Sequence, residues 1–360
     1  MVHFEALQAL HGDCFLLRWG ADKLAVIDGG PAGVYPNLKK RLDTIAAGNK
    51  LGIDLMMVSH IDDDHINGLL ALMRDLRDLK ENSEALPYNI RRFWHNSFAD
   101  LVGVKGNTAE TAALSSLASN DGELNDWGRQ MTDPRTVAVL ASVNQGRQLR
   151  DLIALFKLEG NKPVGGIVVG AKPPIDVEGL TISVVGPLDD QLEQLRKDWK
   201  KAPQSKKAEL ADYLDESTAN LSSIVCLAEV EGKKLLLTGD ARGDYVLDGL
   251  HEYGHLKSGT LELDLLKVPH HGSNRNIETD FFEALPARHY VISADGKHGN
   301  PDRDTLRWLI EAREDDAQYT IHLTNKLPWM KAFFSRMQDG RKFKVNYRPA
   351  ADDAFIDIAL

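Results

Sequence analysis

Four apolar runs in this chain stop abruptly at side chains able to hold a metal ion, and that recurrence constrains the fold more than any other feature. Leu55-Met56-Met57-Val58 gives way to Ser59-His60-Ile61-Asp62-Asp63-Asp64-His65, and Lys234-Leu235-Leu236-Leu237 to Thr238-Gly239-Asp240. Leu263 to Val268 gives way to Pro269-His270-His271-Gly272-Ser273, and Tyr290-Val291-Ile292-Ser293 leads to His298-Gly299-Asn300-Pro301. Short apolar runs bounded by turn residues read as buried strands. A single His at a strand end is most often a satisfied surface or core histidine. Four strand ends carrying the same kind of chemistry point instead to one sheet edge, where sheet enzymes assemble their sites.

The segments between these runs are helical or turn-like. Cys14 to Trp19, the turn Gly20-Ala21-Asp22-Lys23 and Leu24 to Ile27 predict a hairpin that ends in the glycine-rich Asp28-Gly29-Gly30. Helices are predicted over Tyr35 to Ala47 and over Ile66 to Leu79, where Leu69, Leu70, Leu72, Met73 and Leu76 share one face. Further on, a strand is predicted at Thr181 to Val185, a charged helix over Asp189 to Leu214, a strand at Ile224 to Ala228, and a helix near Asp304 to Ala312. Strands and helices alternating in this way define an α/β protein.

Residues 80–175 break the pattern, with short strands near Ile90 to Trp94, a Gly/Asn/Ser/Asp-rich stretch from Val104 to Trp127 and a helix from Pro134 to Leu158. This span reads as an insertion, a cap beside the active site. At 360 residues, with 43% hydrophobic residues, residues 1–360 are expected to share one large core.

Charge and cysteine content narrow the function classes. A net charge of −10 argues against a surface built for sequence-independent capture of a phosphate backbone. Two local basic clusters stand out, Arg196, Lys197, Lys200, Lys201, Lys206 and Lys207, and Lys331, Arg336, Arg341, Lys342, Lys344 and Arg348; both read as solvated faces. Cys14 and Cys226 are too few for a disulfide framework and read as small buried hydrophobes. No basic leader opens the chain and no stretch reaches the ~18 apolar residues of a membrane span, so a cytoplasmic protein without membrane contact is expected.

The segment from His60 to His65 has two readings. Acids ahead of a helix cap its free N–H groups and suit its positive end. The two flanking histidines favour metal ligation, with His60 and Asp62 aimed to one side and Asp64 and His65 to a second position. A hydrolytic site needs further ligands from distant strand ends, and Asp240, His270, His271 and His298 are available.

In order and spacing, Asp28-Gly29-Gly30, Ser59 to Gly68, Thr238-Gly239-Asp240 and Val268 to Ser273 resemble the metallo-β-lactamase superfamily, and within it the soluble hydrolase domain of the ComEC/Rec2 competence proteins. The resemblance runs from about residue 10 to about 310, excluding the insertion. It implies an αββα sandwich carrying an inserted α-rich cap, and a dinuclear centre at one sheet edge. Carried over, the HxHxDH signature falls on His60, Asp62, Asp64 and His65, with Asp62 in place of the usual second His, and the bridging carboxylate falls on Asp240. The middle metal-binding His has no counterpart, because Asn220-Leu221-Ser222-Ser223 offers only Asn and Ser. One of His270 and His271 fills that gap, His271 preferred, with His298 near the position of the last ligand. The metal set is therefore His60, Asp62, Asp64, His65, Asp240 and His271, holding two divalent ions, zinc or manganese, the second favoured by oxygen-rich ligation.

The implied chemistry is attack by a metal-activated hydroxide on a phosphodiester, in nucleic acid or a small molecule. Asp64 would orient the hydroxide, while His270 or His298 would serve the leaving group. Ser222, Ser273 and Asn220 are candidate substrate contacts or simply turn and cap residues. Two other classes remain beside this one: a small-molecule hydrolase acting on a phosphocholine-type ester, lactone or thioester, and a non-catalytic regulatory module of the same fold.

Overall fold

A computed structural model describes residues 1–101, 134–201, 222–275, 277–351 and 353–360. Two sheets dominate it. The first has the strand order β15-β1-β2-β3-β4-β5-β6, built from β1 (His3–Leu7), β2 (Phe15–Trp19), β3 (Lys23–Ile27), β4 (Leu51–Met57), β5 (Tyr88–Trp94), β6 (Glu159–Gly160) and β15 (Phe355–Ala359). The second has the order β14-β13-β12-β11-β10-β9-β8-β7, from β7 (Ile175–Val177), β8 (Leu180–Gly186), β9 (Val225–Val230), β10 (Lys233–Leu237), β11 (Leu263–Lys267), β12 (Ala287–Ile292), β13 (Thr320–Leu323) and β14 (Lys344–Tyr347). In each sheet an antiparallel meander passes into parallel strands, at β3–β4 in one and β10–β11 in the other.

The apolar runs are continuous because both faces of each sheet are covered. On β3, Leu24 and Val26 pack outward while Ala25 and Ile27 pack against the other sheet. Likewise Leu227 on β9 faces outward and Cys226 and Ala228 face inward. The central layer joins the sheets through Phe15, Leu17, Leu55, Met57 and Trp94 on one side and Ile182, Val184, Leu235, Leu265 and Val291 on the other. Helices α1 (Tyr35–Ala46), α2 (Asp63–Glu81), the short α3 (Phe98–Leu101) and α4 (Pro134–Leu155) lie on the chain half that forms the first sheet, and Gly243–Glu252, Thr279–Ala284, Arg303–Glu311 and Met330–Met337 belong to the half that forms the second. The result is an αββα sandwich, two sheets face to face with helices outside.

Several elements differ from expectation at their ends. Helix α2 begins at Asp63 rather than Ile66, so Asp63, Asp64 and His65 form its first turn. The charged helix is described over Asp189–Lys201; Lys206, Lys207 and Asn220 lie outside the described residues, as does the stretch from Val104 to Trp127. Of the span read as an insertion, Tyr88–Trp94 is strand β5, paired in parallel with β4, and α4 packs on α2. Strand β1, ahead of the expected hairpin, pairs with β15 and brings the two ends of the described chain side by side. Both cysteines are buried and unbonded, and burial pushes the Cys226 thiol up to about 12. No described helix is long and apolar enough to cross a membrane.

Candidate metal centre

The centre lies where β3, β4, β10, β11 and β12 end, so five strand exits from two sheets meet at one edge of the sandwich. Close backbone contact fixes the first turn of α2 there. A Cβ on Gly29 would stand 2.2 Å from the Leu69 nitrogen, and one on Gly68 or Gly12 would stand 1.9 Å from the carbonyl oxygen of Gly29 or Asp64. Only glycine permits this approach. Backbone hydrogen bonds from Asp13 N to Asp64 O (3.1 Å) and from Gly29 N to His65 O (2.7 Å) complete the clamp.

Three histidines point the same nitrogen inward. Asp28 accepts hydrogen bonds from Ser59 N (2.7 Å), Ser59 Oγ (2.8 Å) and His65 Nδ1 (3.0 Å). With its proton given to Asp28, Ser59 Oγ accepts from His60 Nδ1 at 3.1 Å. His271 Nδ1 donates to the Ser293 carbonyl at 2.9 Å. Each Nδ1–H is thus committed, which leaves the Nε2 lone pairs of His60, His65 and His271 for the interior. His60 Nε2 is buried and makes no hydrogen bond among the described residues. His65 Nε2 and His271 Nε2 stand 3.2 Å apart, within hydrogen-bond distance.

Carboxylates surround these nitrogens. Asp62 Oδ2 is 3.4 Å from His60 Nε2, and Asp64 Oδ2 is 3.3 Å from His271 Nε2. Asp240 Oδ1 lies 3.4 Å from His65 Nε2, while its Oδ2 lies 3.2 Å from His271 Nε2 and 3.9 Å from His60 Nε2. Burial opposes charge on His65, yet Asp240, Asp28 and Asp64 hold it well above the ordinary histidine range. His271 behaves alike, its burial outweighed by Asp240 and Asp13. Burial also works against the Asp240 carboxylate, but His271, His65 and Lys267 keep it well below the usual range. The pocket therefore attracts positive charge strongly. Two groups of donor atoms lie within 4.8 Å of one another, Asp13, His65, Asp240 and His271 in one and His60, Asp64 and His65 in the other. The residues of these two groups could hold a divalent cation; Asp62 belongs to neither, though it lies beside His60.

Other candidates are placed differently. His270 and His271 are consecutive non-glycine residues in the left-handed region, at φ 48° and 54°, an arrangement tolerated chiefly at functional sites. It turns His270 Nε2 toward Asp240 Oδ2 at 3.9 Å, and burial lowers the His270 pKa. His298 is exposed and belongs to neither donor group; its ring stands 5.3 Å from that of His11. Ser223 Oγ accepts the Asp240 N–H at 3.1 Å. Asp63 turns away from the centre and takes a 2.7 Å hydrogen bond from Gln145 of α4. Asp62 sits at the N-cap position of α2 but makes no side-chain capping bond.

Sequence reasoning missed Asp13, His11 and Lys267. Asp13 follows His11-Gly12 in a turn with no motif of its own, and Lys267 is a lone cation within an apolar run.

The Metallo-beta-lactamase superfamily matches the chain over residues 7–141, a span that includes Asp13, Asp28 and His60 to His65. No curated protein matches it. Fold, match and donor cluster agree on a scaffold of metal-dependent hydrolases carrying a candidate metal site.

Proposed function

We propose that this chain is a phosphodiesterase or nuclease dependent on two divalent cations, akin to the ComEC/Rec2-like hydrolase branch. The observation that carries the reading is the convergence of three imidazole Nε2 atoms, each fixed by its Nδ1 partner, on the carboxylates of Asp62, Asp64 and Asp240. Such an oxygen-rich set suits hard ions, and manganese or zinc fits it. When bound, paired cations acidify water and stabilise negative charge on attacking and leaving oxygens. His60, Asp62, Asp64, His65, His271 and Asp240 would hold the cations. His270 Nε2, at the rim, would hydrogen-bond a phosphoryl oxygen, and His298, beside His11, would give a proton to the departing alkoxide. No Ser or Cys nucleophile is needed, and both cysteines are buried.

The overall charge of −10 favours a small diester over a nucleic acid. Purified protein should be assayed with manganese, zinc or magnesium against bis-p-nitrophenyl phosphate, an oligonucleotide and nitrocefin. Metal-dependent diester cleavage, greater with manganese than magnesium, and no nitrocefin turnover are expected. Oligonucleotide cleavage that falls steeply with salt would select nucleic acid. Nitrocefin hydrolysis without diesterase activity would overturn the reading.

A further inference from the structure

A fully buried ammonium stands inside this candidate centre. Lys267 closes β11 within Leu265-Leu266-Lys267-Val268, and its side chain is only 2% exposed. Lysine is almost never so buried unless every donor is used. Here the ammonium donates to the Gly239 carbonyl at 2.7 Å and to Asp240 Oδ1 at 3.4 Å, and it forms an ion pair with Asp13 Oδ2 at 2.5 Å.

Asp13, completely buried in the turn between β1 and β2, divides its oxygens. Oδ2 faces Lys267, and Oδ1 lies 3.3 Å from His271 Nδ1, the ring nitrogen opposite the one that faces the centre. Asp240 is divided in the same way. Its Oδ1 is turned to Lys267 and His65, while its Oδ2 faces His271, His60 and His270. Lys267 thereby links the carboxylate that lies against the Nδ1 side of His271 to the Asp240 carboxylate. It also anchors the Gly239 carbonyl in the turn that carries Asp240.

We propose that Lys267 and Asp13 form a built-in ion pair that positions Asp240 and His271 for metal, and that Asp13 acts as an orienting group although it belongs to one of the two donor groups. The inference rests on the metal-hydrolase reading above. Two features favour orientation over ligation. Asp13 Oδ2 is paired with the ammonium, and the Asp13 oxygens approach His65 and His271 on their Nδ1 sides, away from the Nε2 atoms that face the centre. The pair also offsets part of the repulsion among Asp13, Asp28, Asp64 and Asp240 when no metal is bound, so the centre keeps its shape before loading.

The test compares wild type, Lys267→Met, Lys267→Arg, Asp13→Asn and the Asp13→Asn/Lys267→Met double variant. Manganese and zinc affinity and stoichiometry are measured by competition with a chromophoric chelator, and urea midpoints are measured on the metal-free proteins. Lys267→Met and Asp13→Asn should each weaken metal affinity about 10- to 100-fold, the range for groups that orient ligands, without lowering the number of metals per chain. Lys267→Arg should recover part of the affinity. The double variant, which removes opposite charges together, should be more stable than either single variant without metal, yet remain weak in metal binding; it serves if a single variant fails to fold. Wild-type affinity in folded Lys267→Met or in the double variant overturns the proposal, as does loss of one metal per chain in Asp13→Asn, the signature of a ligand. Failure of the wild type to bind either metal sinks the hydrolase reading itself and is separately visible.

Discussion

Single residues show how burial and partnership decide what an ionisable group does. Histidines of the centre face carboxylates and are held toward the charged form. His95 and His322, buried elsewhere, are pushed down to about 4 and about 3, in both cases chiefly by burial. His322 Nε2 lies 2.9 Å from His289 Nδ1, so its neighbour is another potential cation. The sign of their effect on stability is fixed. Below about pH 6.5 the unfolded chain takes up protons that the folded chain refuses, so their contribution is full above that pH and is lost as pH falls toward the folded values. Each should cost about 1.4 kcal/mol per pH unit across that window. Urea titrations with chelator present, at pH 6.5 and 5, should show the wild type losing about 2 kcal/mol more than His95→Leu, and likewise more than His322→Gln. Equal losses would mean that these imidazoles are protonated in the fold.

Among the elements, α2 shows how packing overrides propensity. Gly68 lies in its second turn, where alanine would be worth about 1 kcal/mol on helix propensity alone. The contact with Gly29 reverses that sign, because the added Cβ would meet the Gly29 carbonyl oxygen at 1.9 Å. Gly68→Ala should therefore destabilise by about 1–3 kcal/mol, as overpacked sites do. It should also weaken metal binding, since Asp64 and His65 ride on the first turn of the displaced helix. Urea denaturation and metal titration on one preparation check both, and a stabilised variant that binds metal normally would show that the helix does not bear on the loop. The β11 exit makes a related point: two left-handed histidines in succession are strained, and no local preference of His-His forces that geometry.

Across the whole molecule, the centre draws Asp13, Asp28 and residues 60–65 from the first sheet and Asp240, His271 and the Ser293 carbonyl from the second. Metal should thus stabilise the entire sandwich. At a free concentration 100 times the dissociation constant, manganese or zinc should add about 2.7 kcal/mol to the unfolding free energy, reversed by chelator; an unchanged urea midpoint would count against the site. Much of this was legible in sequence. Apolar runs of both-face burial, the turn residues after them and the His and Asp side chains at their ends are local patterns, so they announced the strands, the sheet edge and the clustering of His60, Asp62, Asp64, His65, Asp240 and His271. What sequence could not contain was the pairing across long separations. Asp13 and Lys267 are 254 positions apart, as their numbers show, and neither is marked until the two sheets pack and leave a buried ammonium beside a buried carboxylate. His298 shows the same limit: sequence places it after a strand, but its exposure and its place beside the half-buried His11 came only from the fold. Residue type and periodicity determined the elements and their chemistry, whereas partner identity, tautomer and the direction of each pKa shift came from tertiary packing, since those depend on distances and burial that exist only after the sheets meet.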